Sequence, residues 1–266
     1  MPSGNLQGIY LKLDRAREHL DALDGEIKTF LDDHPITPVG SFDPATDCWV
    51  FRVGEVEPLP RRWGVIAGDI AHNVRSSLDH LVAQLVIANG RTPRRQHAFP
   101  VYTSRKTWED VRRRKDKSPL HGLHPDAVSL IEQMQPFNST APDPDRSTLA
   151  GIHAIWNVDK HRLVHAVHSY TTDQEPTIIL DPGPPMTGVE WAEYAPRTEL
   201  VSGAEVARAS LLLSPLANVR QVGITLVLNV TVGFDEGPGK PLAPVSFLAH
   251  AISEIRKAVG RFEPLM

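Results

Sequence analysis

Residues 9–30 carry apolar side chains at Ile9, Leu13, Ala16, Leu20, Leu23, Ile27 and Phe30, spaced 4-3-4-3-4-3. A heptad seam of this kind is hidden from water only against another helix, so the chain must supply a partner for it. Pro35 and Pro38 close the segment. The end of the chain repeats the device, with Val245, Leu248, Ile252, Ile255, Val259 and Phe262 spaced 3-4-3-4-3 after Pro244. A third long helix is predicted from about Arg61 to Asn89, stopped by Gly90. Three long helices with apolar stripes point to a bundle.

The middle helix has an unusual outer face. Steps of 100° put Ile70, Ala71, Val74, Leu78, Leu81 and Leu85 on one arc. The opposite arc carries Asp69, His72, Asn73, Ser76, His80 and Gln84. It is polar yet almost devoid of Lys and Glu, which dominate ordinary solvated faces. Shorter helices are expected at Thr107–Arg114, Pro125–Met134 and Thr148–Asn157. Gln221–Val232 alternates with period two, as a half-buried antiparallel strand does. Cys48–Val53, Leu163–Tyr170 and Thr177–Leu180 are further strand candidates, and the Pro/Gly clusters at 181–188 and 237–241 read as loops. The expected architecture is α+β and predominantly helical, a long-helix bundle with a small antiparallel β-sheet. The expected domain is single, over 1–266. Its helical core covers about 1–165 plus 244–264, and its β-rich part about 163–240.

Composition excludes several classes. With 28 Lys+Arg, 32 Asp+Glu, 41% hydrophobic residues and one Cys, the chain is neither a disordered tail nor a disulfide-stapled secreted module. No apolar run approaches the roughly 18–20 residues of a membrane span, and the first residues lack the pattern of a signal peptide. Cys48 alone can form no internal disulfide, which suits a reducing compartment, and a cytoplasmic location is expected. The balanced total hides an asymmetry. Arg91 to Lys117 holds ten basic and three acidic residues, a local +7.

Four groups of residues could carry chemistry. The stretch His72-Asn73-Val74-Arg75-Ser76-Ser77-Leu78-Asp79-His80-Leu81 contains Arg-x4-His on a helix. A guanidinium can hold a phosphate and an imidazole can move a proton near neutrality. Arg75 and His80 lie about 140° apart on a straight helix, so a bend or a second protomer would have to unite them. Asp69, Asn73, Ser76 and His80 align better, with Arg75 and Asp79 as an i,i+4 pair on the flank. The alternative is a hydrogen-bonded polar network joining this helix to its neighbours. The second group, Asp159, Lys160, His161 and Arg162 after Trp156, could clamp a phosphate or cap the preceding helix. The third is His161, His165 and His168, which would need a helix to converge as metal ligands. A strand is the better reading there, no Cys or His-Glu-x-x-His accompanies them, and no metal is expected. The fourth is the basic segment, in which Arg112, Arg113 and Arg114 with Tyr102 and Trp108 suit RNA backbone contact and base stacking, or form a solvated basic surface. No Gly-Lys-Ser/Thr or Gly-x-Ser-x-Gly occurs, and no cofactor is expected.

Four stretches in order, His72–Leu81, Phe99-Pro100, Gln135-Pro136-Phe137 and Asn157-Val158-Asp159-Lys160-His161-Arg162, resemble a family of uncharacterised bacterial proteins of actinobacterial type. That resemblance covers about residues 60–165 and implies no activity. The Arg-x4-His also resembles, more distantly, the signature of HEPN domains, helical bundles that include metal-independent ribonucleases. This second resemblance implies a homodimer that cleaves or binds RNA, of toxin or defence type. Arg75 would stabilise the phosphate, His80 would transfer the proton, and Asn73 or Asp69 would support them. Asp159, Lys160, His161, Arg162 and Arg112–Arg114 are the accompanying binding candidates. The competing expectation is a non-catalytic helical module for dimerisation or for a ligand or protein, its polar helix face being structural.

Overall fold

The computed structural model describes residues 4–171, 177–181, 188–194, 200–212, 223–227, 229–235 and 243–266. The chain is α+β and predominantly helical. Its contacts divide it into a helical unit (1–24, 61–165 and 234–266) and a β unit (25–60 and 166–233).

The three predicted long helices are α1 (Gln7–Asp33), α2 (Arg62–Ala88) and α6 (Val245–Gly260). Between the last two lie α3 (Arg105–Arg112), α4 (Pro125–Gln133) and α5 (Thr148–Asp159). In the helical unit the seam residues Ile9, Leu13, Ala16, Leu20 and Leu23 are buried, as are Leu248, Ile252, Ile255, Val259 and Phe262. Asp14 of α1 accepts from Arg256 of α6 at 2.6 Å, which ties the two terminal helices to each other. Helix α2 packs against both α5 and α6. It ends where the sequence places its stop. Gly90 adopts φ +70, and the amides of Gly90 and Arg91 return to the carbonyls of Ile87 and Val86. This is the Schellman arrangement, which needs a residue without Cβ strain.

In the β unit a six-stranded sheet has the order β4-β7-β1-β2-β6-β5. Its strands are β1 (Val39–Asp43), β2 (Cys48–Arg52), β4 (Thr177–Asp181), β5 (Gly188–Tyr194), β6 (Glu205–Leu212) and β7 (Gly223–Val227), paired antiparallel. Trp49, Phe51, Val206, Ala207, Ala209 and Leu226 form its core. β3 (His165–Thr171) and β8 (Asn229–Asp235) are neighbours in a second sheet, and β9 (Ala243–Pro244) leads into α6.

The period-two run 221–232 is therefore two strands, β7 and β8, in different sheets, rather than one. Alternation records which side chains are half-buried; it does not record which sheet buries them. Within that run, positions 221, 222 and 228 lie outside the described residues, as do most of the two Pro/Gly loops expected at 181–188 and 237–241. The hairpin β1–β2 joins the β unit although it lies far from 163–240 in sequence. Among the described residues no helix is long and apolar enough to cross a membrane.

Candidate functional site

The four motif stretches lie in the helical unit, and three of them are joined by hydrogen bonds around one irregular segment, residues 99–102. A buried segment without regular structure must find partners for its backbone groups. Here side chains supply them. Asp79 Oδ1 accepts the Phe99 N–H at 2.8 Å, and Arg75 Nη2 donates to the Phe99 carbonyl. Arg75 Nη1 donates to the same Asp79 Oδ1 at 2.7 Å. Gln135, fully buried, donates to the Pro100 carbonyl at 2.9 Å and accepts the Tyr102 N–H at 3.0 Å. The i,i+4 spacing of Arg75 and Asp79 on α2 puts both on the flank where this segment passes.

Arg75 is 4% exposed, and its Nε finds no hydrogen-bond partner. Burial pulls the guanidinium down from its ordinary value, and the Asp79 carboxylate pulls it back up. Its Cζ lies 5.2 Å from the centre of the Trp156 ring on α5, and Lys160 Nζ approaches the same ring to 3.0 Å. Both are cation–π contacts. Lys160 is exposed yet held below its ordinary value, first by desolvation and then by Arg75.

The approach of α5 and of the chain that follows it to α2 depends on two glycines a turn apart. A Cβ at Gly64 would fall 1.8 Å from the Val164 carbonyl oxygen, and one at Gly68 would fall 2.1 Å from Asp159 Oδ1. Asp159 is consequently half-buried against bare backbone. Its carboxyl is raised above the ordinary value by desolvation and by Asp69, with His72 opposing. The rim of α2 and α5 thus gathers Asp69, His72 and Asp159 in one place and Arg75, Asp79 and Lys160 in another.

The remaining sequence candidates are dispersed. His80 is exposed, and α2 is helical throughout, so it points away from Arg75. Asn73 donates to the Asp69 backbone carbonyl at 2.9 Å, a local bond within α2, and Asp69 is exposed. His161 and Arg162 are exposed just past α5. Arg112 pairs with Glu132 at 3.2 Å, Arg113 pairs with Glu109 and Asp110, and Arg114 is exposed. Among the described residues no group of three His, Cys, Asp or Glu could hold a metal ion. Sequence reasoning paired Arg75 with Asp79 but missed the anchoring roles of Phe99 and Gln135. It also missed the Gly64-x3-Gly68 spacing, a readable sign of close helix approach. Comparison with known proteins found no matching family model, curated protein or solved structure.

Proposed function

We propose that this chain is a cytoplasmic, non-catalytic binding module. In this reading the Arg75–Asp79–Phe99 cluster is structural, and the open rim formed by Asp69, His72, Asp159 and Lys160 receives a ligand or protein partner. One observation carries it. The guanidinium that an Arg–His cleavage site would need is enclosed within its own chain and committed to Asp79 and the Phe99 carbonyl. An anion would have to displace both, and an imidazole from a second protomer would meet the same enclosure.

The test is an RNA-cleavage assay on the full chain beside H80A and R75K. The module reading expects no turnover by any of the three, with R75K lowering the melting temperature and H80A leaving it unchanged. RNA cleavage that co-purifies with the chain and disappears in H80A would overturn it.

A second reading, an HEPN-like protein that cleaves or binds RNA, is favoured by two observations. His80, His161 and Lys160 are all exposed, and Arg94, Arg95, Lys106, Arg114 and Lys117 of the basic segment reach solvent. It rests on backbone phosphate attraction and therefore predicts steep salt dependence.

A further inference from the structure

The Schellman turn that ends α2 delivers Arg91 to a fixed place, away from the α2–α5 rim. Gly122 has φ +81, and its missing Cβ leaves room for the Arg91 side chain, whose Cδ lies 2.7 Å from where that atom would stand. Two residues beyond Thr92, Arg94 donates its backbone N–H to His97 Nδ1 at 2.8 Å. The neutral His97 ring therefore carries its proton on Nε2, a buried atom turned toward the His121 backbone. Together with His121 and Val86 these residues line a cavity of about 240 Å³.

No carboxylate lines this cavity, and neither Arg91 nor Arg94 has an acidic partner among the described residues. The cations are not needed to cap α2 either. The carbonyls of Leu85, Val86 and Ile87 already accept backbone N–H groups. Burial holds His97 below its ordinary value; a backbone hydrogen bond to His121 opposes it, and the charges of His121 and Arg94 add to it. His121 also lines an adjoining cavity of about 460 Å³, whose walls include Leu120, Leu123 and Val128. A small cationic recess thus shares His121 with a larger one of mixed lining, where Leu120, Leu123 and Val128 stand beside Ser129 and Glu132, and the pair suits a ligand with an anionic head and an organic body that is itself partly polar.

We propose that Arg91, Thr92, Arg94, His97 and His121 bind the phosphate of a small phosphate monoester, whose organic part occupies the adjoining cavity. The guanidinium groups supply charge-assisted hydrogen bonds, and Thr92 supplies a neutral donor.

Ring signals of His97 and His121 are followed by NMR while inorganic phosphate, AMP and adenosine are titrated into the full chain. Phosphate and AMP should shift both rings, AMP binding at least about tenfold tighter than phosphate, with adenosine silent. R91Q/R94Q should abolish both titrations, while K257Q, the loss of an exposed charge on α6 outside the cavity, should leave them intact. Circular dichroism of R91Q/R94Q separates loss of binding from loss of fold. If R91Q/R94Q is misfolded, R94Q alone must weaken phosphate by about tenfold. Failure of phosphate and AMP to move either ring overturns the site, as does an unchanged titration in folded R91Q/R94Q. Equal affinity for AMP and phosphate overturns the role of the second cavity. A 5′-phosphorylated RNA that binds tighter than AMP overturns the small-molecule assignment.

Discussion

The Asp159 carboxylate occupies the space that a side chain at Gly68 would fill, with Oδ1 only 2.1 Å from the site of the missing Cβ. The chain that leaves α5 brings the Val164 carbonyl oxygen to 1.8 Å from the missing Cβ of Gly64. The two clashes differ in kind. A carboxylate can rotate away, whereas a backbone carbonyl is fixed by the chain. G68A should cost about 1–2 kcal/mol and G64A about 3 kcal/mol or more, the upper end of overpacking penalties. Urea denaturation measures both. D159A should restore most of the stability lost in G68A and none of that lost in G64A. Equal costs for the two glycine variants would remove the argument for a carboxylate seated on Gly68.

Arg75 and the Phe99 amide both donate to one oxygen of Asp79, so removing the carboxylate strands two donors at once. D79A leaves a buried guanidinium without its counter-charge and an amide without its acceptor. Breaking a buried pair this way costs about 3–5 kcal/mol. At roughly 2–4 °C per kcal/mol, the melting temperature should fall by about 6–20 °C. R75M strands only the Phe99 carbonyl and a carboxylate that is 32% exposed, so it should cost less. R75K should not restore stability, because a lysine cannot reach Asp79 and the Phe99 carbonyl in one plane. An R75K protein as stable as the parent would show that the fork geometry is irrelevant.

What the sequence revealed followed from periodicity. Every seam residue from Ile9 to Leu23 is buried, and the helix ends at Gly90 and Pro35 follow from backbone chemistry that a sequence states directly. What it concealed depends on contacts distant in sequence. The polar face of α2 was visible, but the sequence contained no sign that Phe99 would offer its amide to Asp79 or that Gln135 would bridge residues 100 and 102. Hydrogen bonds to an irregular segment have no period. β1 (Val39–Asp43) was missed because its residues are mostly exposed, and β5 and β6 because their pairing is with each other and with β2.

Two titrations give opposite slopes of stability against pH. Asp159 has its folded carboxyl raised above the ordinary value, so folding favours the protonated acid. Its contribution is best at low pH and is lost as pH rises from the unfolded value through the folded one. D159N should therefore be more stable than the parent at neutral pH and equal to it in acid. His97 has its folded value lowered, so folding favours the neutral ring. Its contribution is complete above the unfolded value and is lost as pH falls toward the folded one. H97Q should flatten the mildly acidic limb of a melting-temperature profile that the parent shows. Parallel profiles for parent and H97Q would mean that the ring is as solvated as in the unfolded chain.

Ion pairing divides the basic segment into two classes of charge. Arg105 and Arg112 meet Glu132, and Arg113 meets Glu109 and Asp110. Lys106, Arg114 and Lys117 are exposed and have no acidic partner among the described residues. A phosphate binds a paired arginine only in competition with its carboxylate, so RNA held by this segment should rely on the unpaired class. Measured by fluorescence anisotropy over a salt series, each contact to single-stranded RNA contributes a slope of about 0.7 in log K against log salt. K106Q/R114Q should reduce the slope by about 1.4. R112Q/R113Q should change it by much less, because the released Glu132, Glu109 and Asp110 oppose the ligand. Equal slopes for the two double variants would mean that the acidic partners leave the arginines open to RNA.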